Sequence, residues 1–292
     1  MQFLPVDVVS ILAAVTMSGM STLNRQGLRT GTPYMAAVLI NAMVLVLYLA
    51  LSTALGVSWA ELPRAGVLWF LAAGIASPAL SMTVYYISLS RFGVGRSAPI
   101  SMGSNPVFAV LLAILFLGER PSGFLYAGTA LIVGGIWVIS RPKGQLRLKW
   151  NEVLIPLGAG FFWGLAATIR KLGLRVIPVP HVAVVIQSVS ALAFLLAAYW
   201  VFPPGRRFVR SGRAVKYFGL AGLSLAVTFY FLFTALNRGE VSRVMAIMGS
   251  TPLLAVALAA LFLGDIERIT RRTYVGASAI VTGVVLVTWF RG

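Results

Sequence analysis

The chain has 292 residues, of which 59% are apolar and only 11% are charged, and a soluble domain of this size would need a more polar surface. Cysteine is absent and His181 is the single histidine, which excludes disulfides, thiol chemistry and Cys/His metal sites, so we expect no cofactor. The net charge of +17 comes mainly from Lys and Arg between apolar runs, without interleaved aromatic residues, so the expected partners are membrane lipids and not nucleic acid.

Ten apolar runs follow one another, each of about the length that crosses a bilayer as a helix. They lie near residues 7–25, 34–56, 66–90, 94–117, 122–140, 153–172, 181–202, 215–236, 241–263 and 272–290. The first run has no Lys or Arg before it, so it is interpreted as a retained span and not as a secretory signal. The predicted fold class is an all-α integral membrane protein with ten transmembrane helices, because unpaired backbone groups cannot face lipid.

The chain repeats itself. The stretch "MGSNPVFAVLLAILFLGE" at 102–119 matches "MGSTPLLAVALAALFLGD" at 248–265 in twelve of eighteen positions, and "GLR" occurs at 27–29 and at 173–175. The common offset of 146 residues predicts two repeats, 1–145 and 146–292, with five spans each. Because five is odd, the second repeat enters the membrane from the opposite side. Such inverted repeats are typical of transporters that work by alternating access.

The distribution of basic residues predicts an orientation. The odd-numbered loops hold 16 of the 24 Lys and Arg residues. The positive-inside rule then places these loops in the cytoplasm and both termini outside a bacterial inner membrane.

The repeated motif points to a family. Each "Pro … LFLG(E/D)" pattern ends a fourth or ninth span and precedes a Gly-bearing span, "GTALIVGGIWVI" or "GASAIVTGVVLV". Over essentially the whole chain, this pattern resembles the EamA-type branch of the drug/metabolite transporter (DMT) superfamily. The resemblance implies a secondary transporter, commonly an exporter of amino acids or other small metabolites. It also implies a central cavity lined by spans one, three, four, six, eight and nine.

The two prolines of the repeated motif are candidate hinges. Pro106 lacks the N–H that would bond the carbonyl of Met102, and Pro252 does the same to Met248, so both helices are expected to bend. Gly103 and Gly249 would allow close packing or gating. Polar side chains that could bond the freed carbonyls or contact substrate are Ser104, Asn105, Ser250 and Thr251.

Aromatic and methionine side chains supply further candidates for the cavity. Trp163 is the tryptophan that lies mid-span, and Tyr85 and Tyr230 also fall within spans, where a buried phenol needs a polar partner. Each could equally be part of the packed core. Met102 and Met248 could form an adaptable apolar wall or fill the core.

Charged residues limit the substrate. No acidic residue falls mid-span, which disfavours cation/proton antiport through a central carboxylate. Basic residues lie at span ends: Arg25 and Arg96 could meet at one mouth, and Lys171 and Arg243 at the other. These four side chains could bind a carboxylate or phosphate, or extend to lipid headgroups.

The predicted function is alternating-access transport of a small molecule without ATP, since no P-loop pattern is present. An enzyme would need a catalytic constellation that the chain lacks. A neutral or zwitterionic metabolite such as an amino acid is the first choice of substrate, and an organic anion or phosphate-bearing compound the second. A lipid flippase on the same fold stays open, as do the monomeric and homodimeric states.

Overall fold

The computed structural model describes the backbone of residues 4–92, 94–140, 150–201, 208–209, 211–263 and 271–289. Within these ranges it describes the side chains except those of residues 86, 89–90, 92, 94–99, 139–140, 150–152, 200–201, 256, 259–263, 271–274 and 289. The side chain of Arg96 and the whole of Asp265, which ends the second copy of the motif, therefore lie outside the described part.

The regular structure of the described residues is helical throughout. Its helices are α1 (Val6–Gly27), α2 (Pro33–Ala54), α3 (Arg64–Gly74), α4 (Ser81–Phe92), α5 (Val94–Leu112), α6 (Gly123–Ser140), α7 (Trp150–Val176), α8 (Pro180–Ala197), α9 (Gly212–Arg238), α10 (Val241–Met248), α11 (Thr251–Leu263) and α12 (Arg271–Trp289). In terms of the predicted spans, α3 and α4 form the third, and α10 and α11 form the ninth.

Seven helical segments within the described ranges are long and apolar enough to cross a membrane, and three shorter apolar helices accompany them. The shorter ones are Gly123–Val138, Val241–Ala255 and Val275–Thr288. Large apolar side chains such as Leu115 and Phe116 are exposed on the outside of the bundle, as expected of a surface that meets lipid. The chain is thus an all-helical, multi-pass membrane protein.

Helices from the two ends of the chain interleave. Helix α1 packs along α9, α3 and α5 pack on α7, α2 packs on α8, and α6 packs along α12. The "GLR" triplets mark two of these contacts: Gly27 of α1 lies against the buried ring of Phe218, and Gly173 of α7 lies against that of Phe70. A side chain at either glycine would overlap the ring, which explains why the small residue occurs in both copies.

The third span is interrupted, where the sequence predicted a continuous helix over 66–90. Helix α3 ends at Gly74, and Ser77 has extended backbone angles (φ −152°, ψ 127°) before α4 begins at Ser81. Pro78 is the cause, because it cannot donate to the carbonyl one turn earlier and it disfavours helical angles at the preceding residue. A proline inside an apolar run was the visible signal for this break.

Candidate functional site

In the second copy of the repeated motif, a two-residue turn separates two helices, although the backbone of Gly249 keeps right-handed helical angles (φ −59°, ψ −17°). Helix α10 ends at Met248 and α11 begins at Thr251, so the ninth span is interrupted at Gly249 and Ser250. The hydroxyl of Thr251 donates to the carbonyl of Met248 at 2.6 Å, which is the carbonyl that Pro252 leaves without its helical donor. The break is therefore satisfied locally by the residue that precedes the proline.

The first copy of the motif behaves differently. Helix α5 continues through Pro106, and the Ser104 hydroxyl donates to the carbonyl of Ser101 at 3.2 Å. The Oδ1 atom of Asn105 is buried and has no hydrogen-bond partner among the residues that the structure describes. The two copies also meet, because a Cβ atom on Gly249 would lie 3.2 Å from Cγ of Pro106. By contrast, Gly103 has space around it, since a Cβ there would have its nearest neighbours at 4.0 Å.

The contribution of the Thr251 hydrogen bond to stability can be measured by substitution. We expect Thr251→Val to lower the free energy of unfolding by about 1 kcal/mol, because the carbonyl of Met248 loses a hydrogen bond while the side-chain volume is kept. Thermal unfolding of the purified protein in detergent measures this effect. Thr251→Ser keeps the donor and serves as the control; equal losses in the two variants would contradict the assignment.

A tryptophan and a tyrosine meet across the third and sixth spans. The rings of Trp163 on α7 and Tyr85 on α4 have centroids 5.4 Å apart and are tilted by 52°. The neighbouring Gly160 and Gly164 let α7 approach α5 so closely that a Cβ on Gly164 would lie 2.7 Å from the backbone nitrogen of Ala109. The side chains of Trp163 and Tyr85 are both half-buried.

The other predicted aromatic and methionine residues are more scattered. Tyr230 lies on α9, is 42% exposed, and packs its ring against Phe231. Met102 and Met248 are half-buried, and Met248 packs against the main apolar core. The structure brings Trp163 and Tyr85 together, and Tyr230 is not part of that pair.

A polar cavity of about 1010 Å³ opens at one end of the bundle. Its walls come from the start of α1, the residues after the fourth span, the ends of α7 and α9, and the start of α10. Its charged lining residues are Arg120, Lys171, Arg175, Arg238 and Arg243, with Asp7, Glu119 and Glu240. Basic side chains therefore outnumber acidic ones at this mouth.

Both basic residues predicted at this mouth bind other parts of the protein. The ammonium group of Lys171 donates to the carbonyls of Leu236 at 2.6 Å and Gly239 at 2.8 Å, which caps the end of α9. The guanidinium of Arg243 forms a two-pronged ion pair with Asp7, from Nε to Oδ1 at 2.6 Å and from Nη2 to Oδ2 at 2.8 Å. Lys171 thus ties the ends of two helices of the second repeat together, whereas Arg243 joins the start of α10 to the start of α1 in the first repeat.

Glu119 was not among the predicted site residues, yet it makes a strong contact between the repeats. Its two carboxylate oxygens accept from the backbone nitrogens of Val241 at 2.7 Å and Ser242 at 2.9 Å, at the first turn of α10. Gly118 makes this possible, because its left-handed backbone (φ 69°) turns the chain back after the fourth span. The recurrence of an acid at the end of the motif was the signal in the sequence.

At the opposite end of the bundle, the predicted pairing of basic residues involves Arg25 and Arg96. Arg25 ends α1 with an exposed side chain. Arg96 belongs to the first turn of α5, but its side chain lies outside the described residues. Their expected meeting therefore stays a prediction.

A buried arginine is a further feature of the interior. Arg170 is 6% exposed, and its Nε donates to Oε1 of Gln187 at 2.7 Å. Its Nη2 lies 3.3 Å from the carbonyl oxygen of Ser77, at the break in the third span. The rings of Phe229 and Phe233 flank the guanidinium, with centroids 5.7 and 5.6 Å from its carbon. A charged residue within an apolar span was the signal that could have identified it.

Known proteins resemble this chain over most of its length. Over 286 aligned residues, it is 27% identical to the probable terminal-alkyne amino-acid exporter of Streptantibioticus cattleyicolor. This alignment covers 95% of this chain and 91% of that protein. It is 29% identical over 169 residues to the pseudopaline exporter CntI of Pseudomonas aeruginosa, with 57% of each chain covered. A crystal structure shares the fold at a TM-score of 0.82 and 17% identity, covering 97% of this chain and 96% of that chain.

A family model accounts for both halves of the chain. The model of the EamA-like transporter family matches residues 4–141 and again residues 150–289. These two matches fall on either side of the predicted boundary between the repeats. The chain is a membrane transporter of the DMT superfamily and belongs to the EamA-like transporter family.

Proposed function

We propose that this chain is a secondary transporter that exports small metabolites, such as amino acids, across the bacterial inner membrane by alternating access. Its family supports transport, and two of its relatives are named exporters, one of them of an amino acid. Substrate binds mid-membrane between the repeats, beside the Tyr85–Trp163 pair and the Met102/Asn105 and Met248/Thr251 segments.

The pattern of helix packing is the observation that carries this proposal. The first span packs on the eighth, and their counterparts in the other repeat, the sixth and the third, also pack together. The fourth span packs on the sixth, and their counterparts, the ninth and the first, are likewise in contact. This exchange supports two inverted five-helix repeats, 1–145 and 146–292, related by a twofold axis in the membrane plane. That symmetry makes inward-open and outward-open states two arrangements of equivalent contacts.

The contacts at the polar cavity give this mechanism a gate. Glu119 and the Asp7–Arg243 pair join the two repeats at that end, and Lys171 ties the end of α7 to that of α9 within the second repeat. The excess of basic residues in the odd loops favours the outer side of the membrane for this end and for both termini. Export then requires these contacts to separate when the outer side opens, and Pro106 and Pro252 supply the bends.

A second candidate substrate class is organic anions or phosphate-bearing metabolites. The cavity supports it, since five basic side chains line its walls against three acidic ones. In this case Lys171 and Arg243 would exchange their protein partners for the substrate when the gate opens, and Arg25 and Arg96 would bind it at the other mouth.

Purified protein in liposomes tests both candidates. We expect labelled amino acids to cross faster than in protein-free vesicles of the same lipid, and organic phosphates and labelled lipids serve as the competing probes. Faster movement of organic phosphates alone would favour the second candidate. If none of the probes crosses faster than in empty vesicles, the proposal fails.

A further inference from the structure

Arg170 is a cation buried in the membrane interior without a carboxylate partner in the described part of the chain. It lies six residues before the end of α7, or about 9 Å along the helix. Removing a charge from water is costly, and buried charges in membrane proteins are usually paired. Here an amide oxygen, a backbone carbonyl and two aromatic faces surround the guanidinium. They compensate the positive charge only in part.

Donors at this site outnumber acceptors. Of the guanidinium nitrogens, Nε and Nη2 have partners, but Nη1 has none among the described residues. The side-chain nitrogen of Gln187, a fully buried residue, is a buried donor that has no hydrogen-bond partner among the described residues. Buried donors are normally satisfied. An occupant that carries only acceptors and a negative charge, as a carboxylate does, would complete this site.

The local backbone also favours a binding site. The carbonyl of Ser77 that faces Arg170 belongs to the interruption in the third span. Non-helical backbone within a membrane is tolerated where it is buried in protein or lines a cavity, and interrupted helices often form substrate sites in transporters. The neighbouring residue on α7, Lys171, lines the polar cavity. Arg170 therefore lies one residue along α7 from a side chain that lines this cavity.

The charge is not a general requirement of the repeat. At an offset of 146 residues, Arg170 corresponds to Asn24 and Gln187 corresponds to Asn41. Both asparagines have a buried Oδ1 atom without a hydrogen-bond partner in the described part of the chain, so the equivalent positions in the first repeat are polar but uncharged. The spans of the first repeat are thus held together without an arginine at the equivalent position. The positive charge of Arg170 therefore distinguishes the second repeat from the first.

We propose that Arg170, with Gln187, binds the carboxylate group of the transported metabolite at the interruption of the third span. This proposal specifies carboxylate-bearing metabolites as the substrate class, and it rests on the transport function proposed above. Trp163 lies seven residues before Arg170, on the same face of α7 and about 10 Å away along its axis. An amino acid with its carboxylate at Arg170 extends towards the Tyr85–Trp163 pair, which receives its side chain.

The test compares amino acids with their carboxamides in liposomes that contain the wild-type protein. The two probes differ in charge at one group, and no variant is needed. We expect each transported amino acid to exceed its carboxamide by about tenfold or more, because charged hydrogen bonds are lost in the amide. Equal transport of acid and amide overturns the carboxylate site while leaving the proposed transporter intact. If no probe is transported, the proposed function itself fails, and the site fails with it.

Gln187→Glu provides the second measurement. The new carboxylate keeps an oxygen for Arg170 Nε and supplies the missing counter-charge, so the fold is retained while the anion site is filled internally. We expect amino-acid transport to fall about tenfold and the preference for acid over amide to disappear. Asn41→Asp, which introduces the same charge at the equivalent position of the first repeat, keeps the wild-type preference. A wild-type preference in Gln187→Glu would overturn the proposal.

Arg170→Lys separates binding from packing. Lysine keeps the positive charge but loses the planar, two-pronged fork. We expect a partial preference for acid over amide, between those of the wild type and of Gln187→Glu. A purely structural arginine would change the amount of folded protein without changing this ratio, and that result would contradict the site.

Discussion

Replacement of Glu119 by alanine is expected to lower the free energy of unfolding by about 3 kcal/mol. Its carboxylate accepts from the backbone nitrogens of Val241 and Ser242, and both donors lose a charged acceptor in the variant. Glu119 is 9% exposed, so in the alanine variant water is a poor substitute for the carboxylate as acceptor for these two backbone N–H groups. The negative charge also favours the N-terminus of α10, where the helix dipole is positive. Thermal unfolding in detergent, together with the yield of monodisperse protein, measures the loss.

Two further variants separate the hydrogen bonds from the charge. Glu119→Gln keeps one acceptor and should fall between the wild type and Glu119→Ala. Glu240→Gln removes the same charge at the same mouth from an exposed side chain, and it should change stability by less than about 0.5 kcal/mol. Similar losses in Glu119→Ala and Glu240→Gln would show that Glu119 does not join the repeats.

Gly135→Leu is expected to prevent correct packing of α6 on α12. A Cβ at Gly135 would lie 2.6 Å from the carbonyl oxygen of Gly276 and 2.7 Å from a side-chain carbon of Ile280. A backbone carbonyl cannot move aside as a side chain can, so the helices must separate, at a cost of about 3 kcal/mol or more. Size-exclusion chromatography of the expressed protein should show aggregate in place of the wild-type peak.

The adjacent glycine provides a matched control. A Cβ atom on Gly134 would have no neighbouring atom within 4 Å, and this glycine is exposed on the outside of α6. Gly134→Leu should therefore give the wild-type elution profile and melting temperature. Disruption by both substitutions would mean that a general defect of α6, and not its contact with α12, is responsible.

These glycines show what periodicity leaves open. In the sequence, Gly128, Gly134 and Gly135 could serve a dimer face or contacts between the repeats equally well. In the structure, Gly128 and Gly135 face α12, where Gly128 lies against Gly283, while Gly134 faces outward. The sequence predicts that small residues allow close approach, but not which helix approaches.

Local chemistry was predictable where it depends on neighbours in the chain. The sequence predicts that Pro252 frees the carbonyl of Met248 and that Thr251 could bond it, and the structure confirms this contact. The same logic did not identify the interruption at Ser77, although Pro78 stands within an apolar run. In the first copy, the buried side-chain oxygen of Asn105 has no hydrogen-bond partner within the described ranges, so the two copies of the motif differ in their local hydrogen bonds.

Contacts between distant residues could not be read from spacing. Glu119 bonds backbone atoms 122 and 123 residues away, and Arg243 pairs with Asp7 across 236 residues. Neither distance follows from helical periodicity, since each depends on which helix ends share one side of the bundle. Arg170 similarly appeared in the sequence as one cation among several near the end of a span. Its burial between Gln187, Ser77 and two phenylalanines is a property of four packed spans.

By itself, the sequence determined that this protein is a helical membrane protein of repeated design. Apolar length and backbone hydrogen bonding leave few alternatives in lipid, and a repeat of 146 residues is visible without coordinates. Only the tertiary structure decided which repeated residues meet, because pairings between helices depend on side-chain shape and charge over distances that no local pattern encodes. The doubled motif therefore predicted a hinge, whereas the contact of Glu119 with α10 and the buried cation at Arg170 emerged only once the helices were packed.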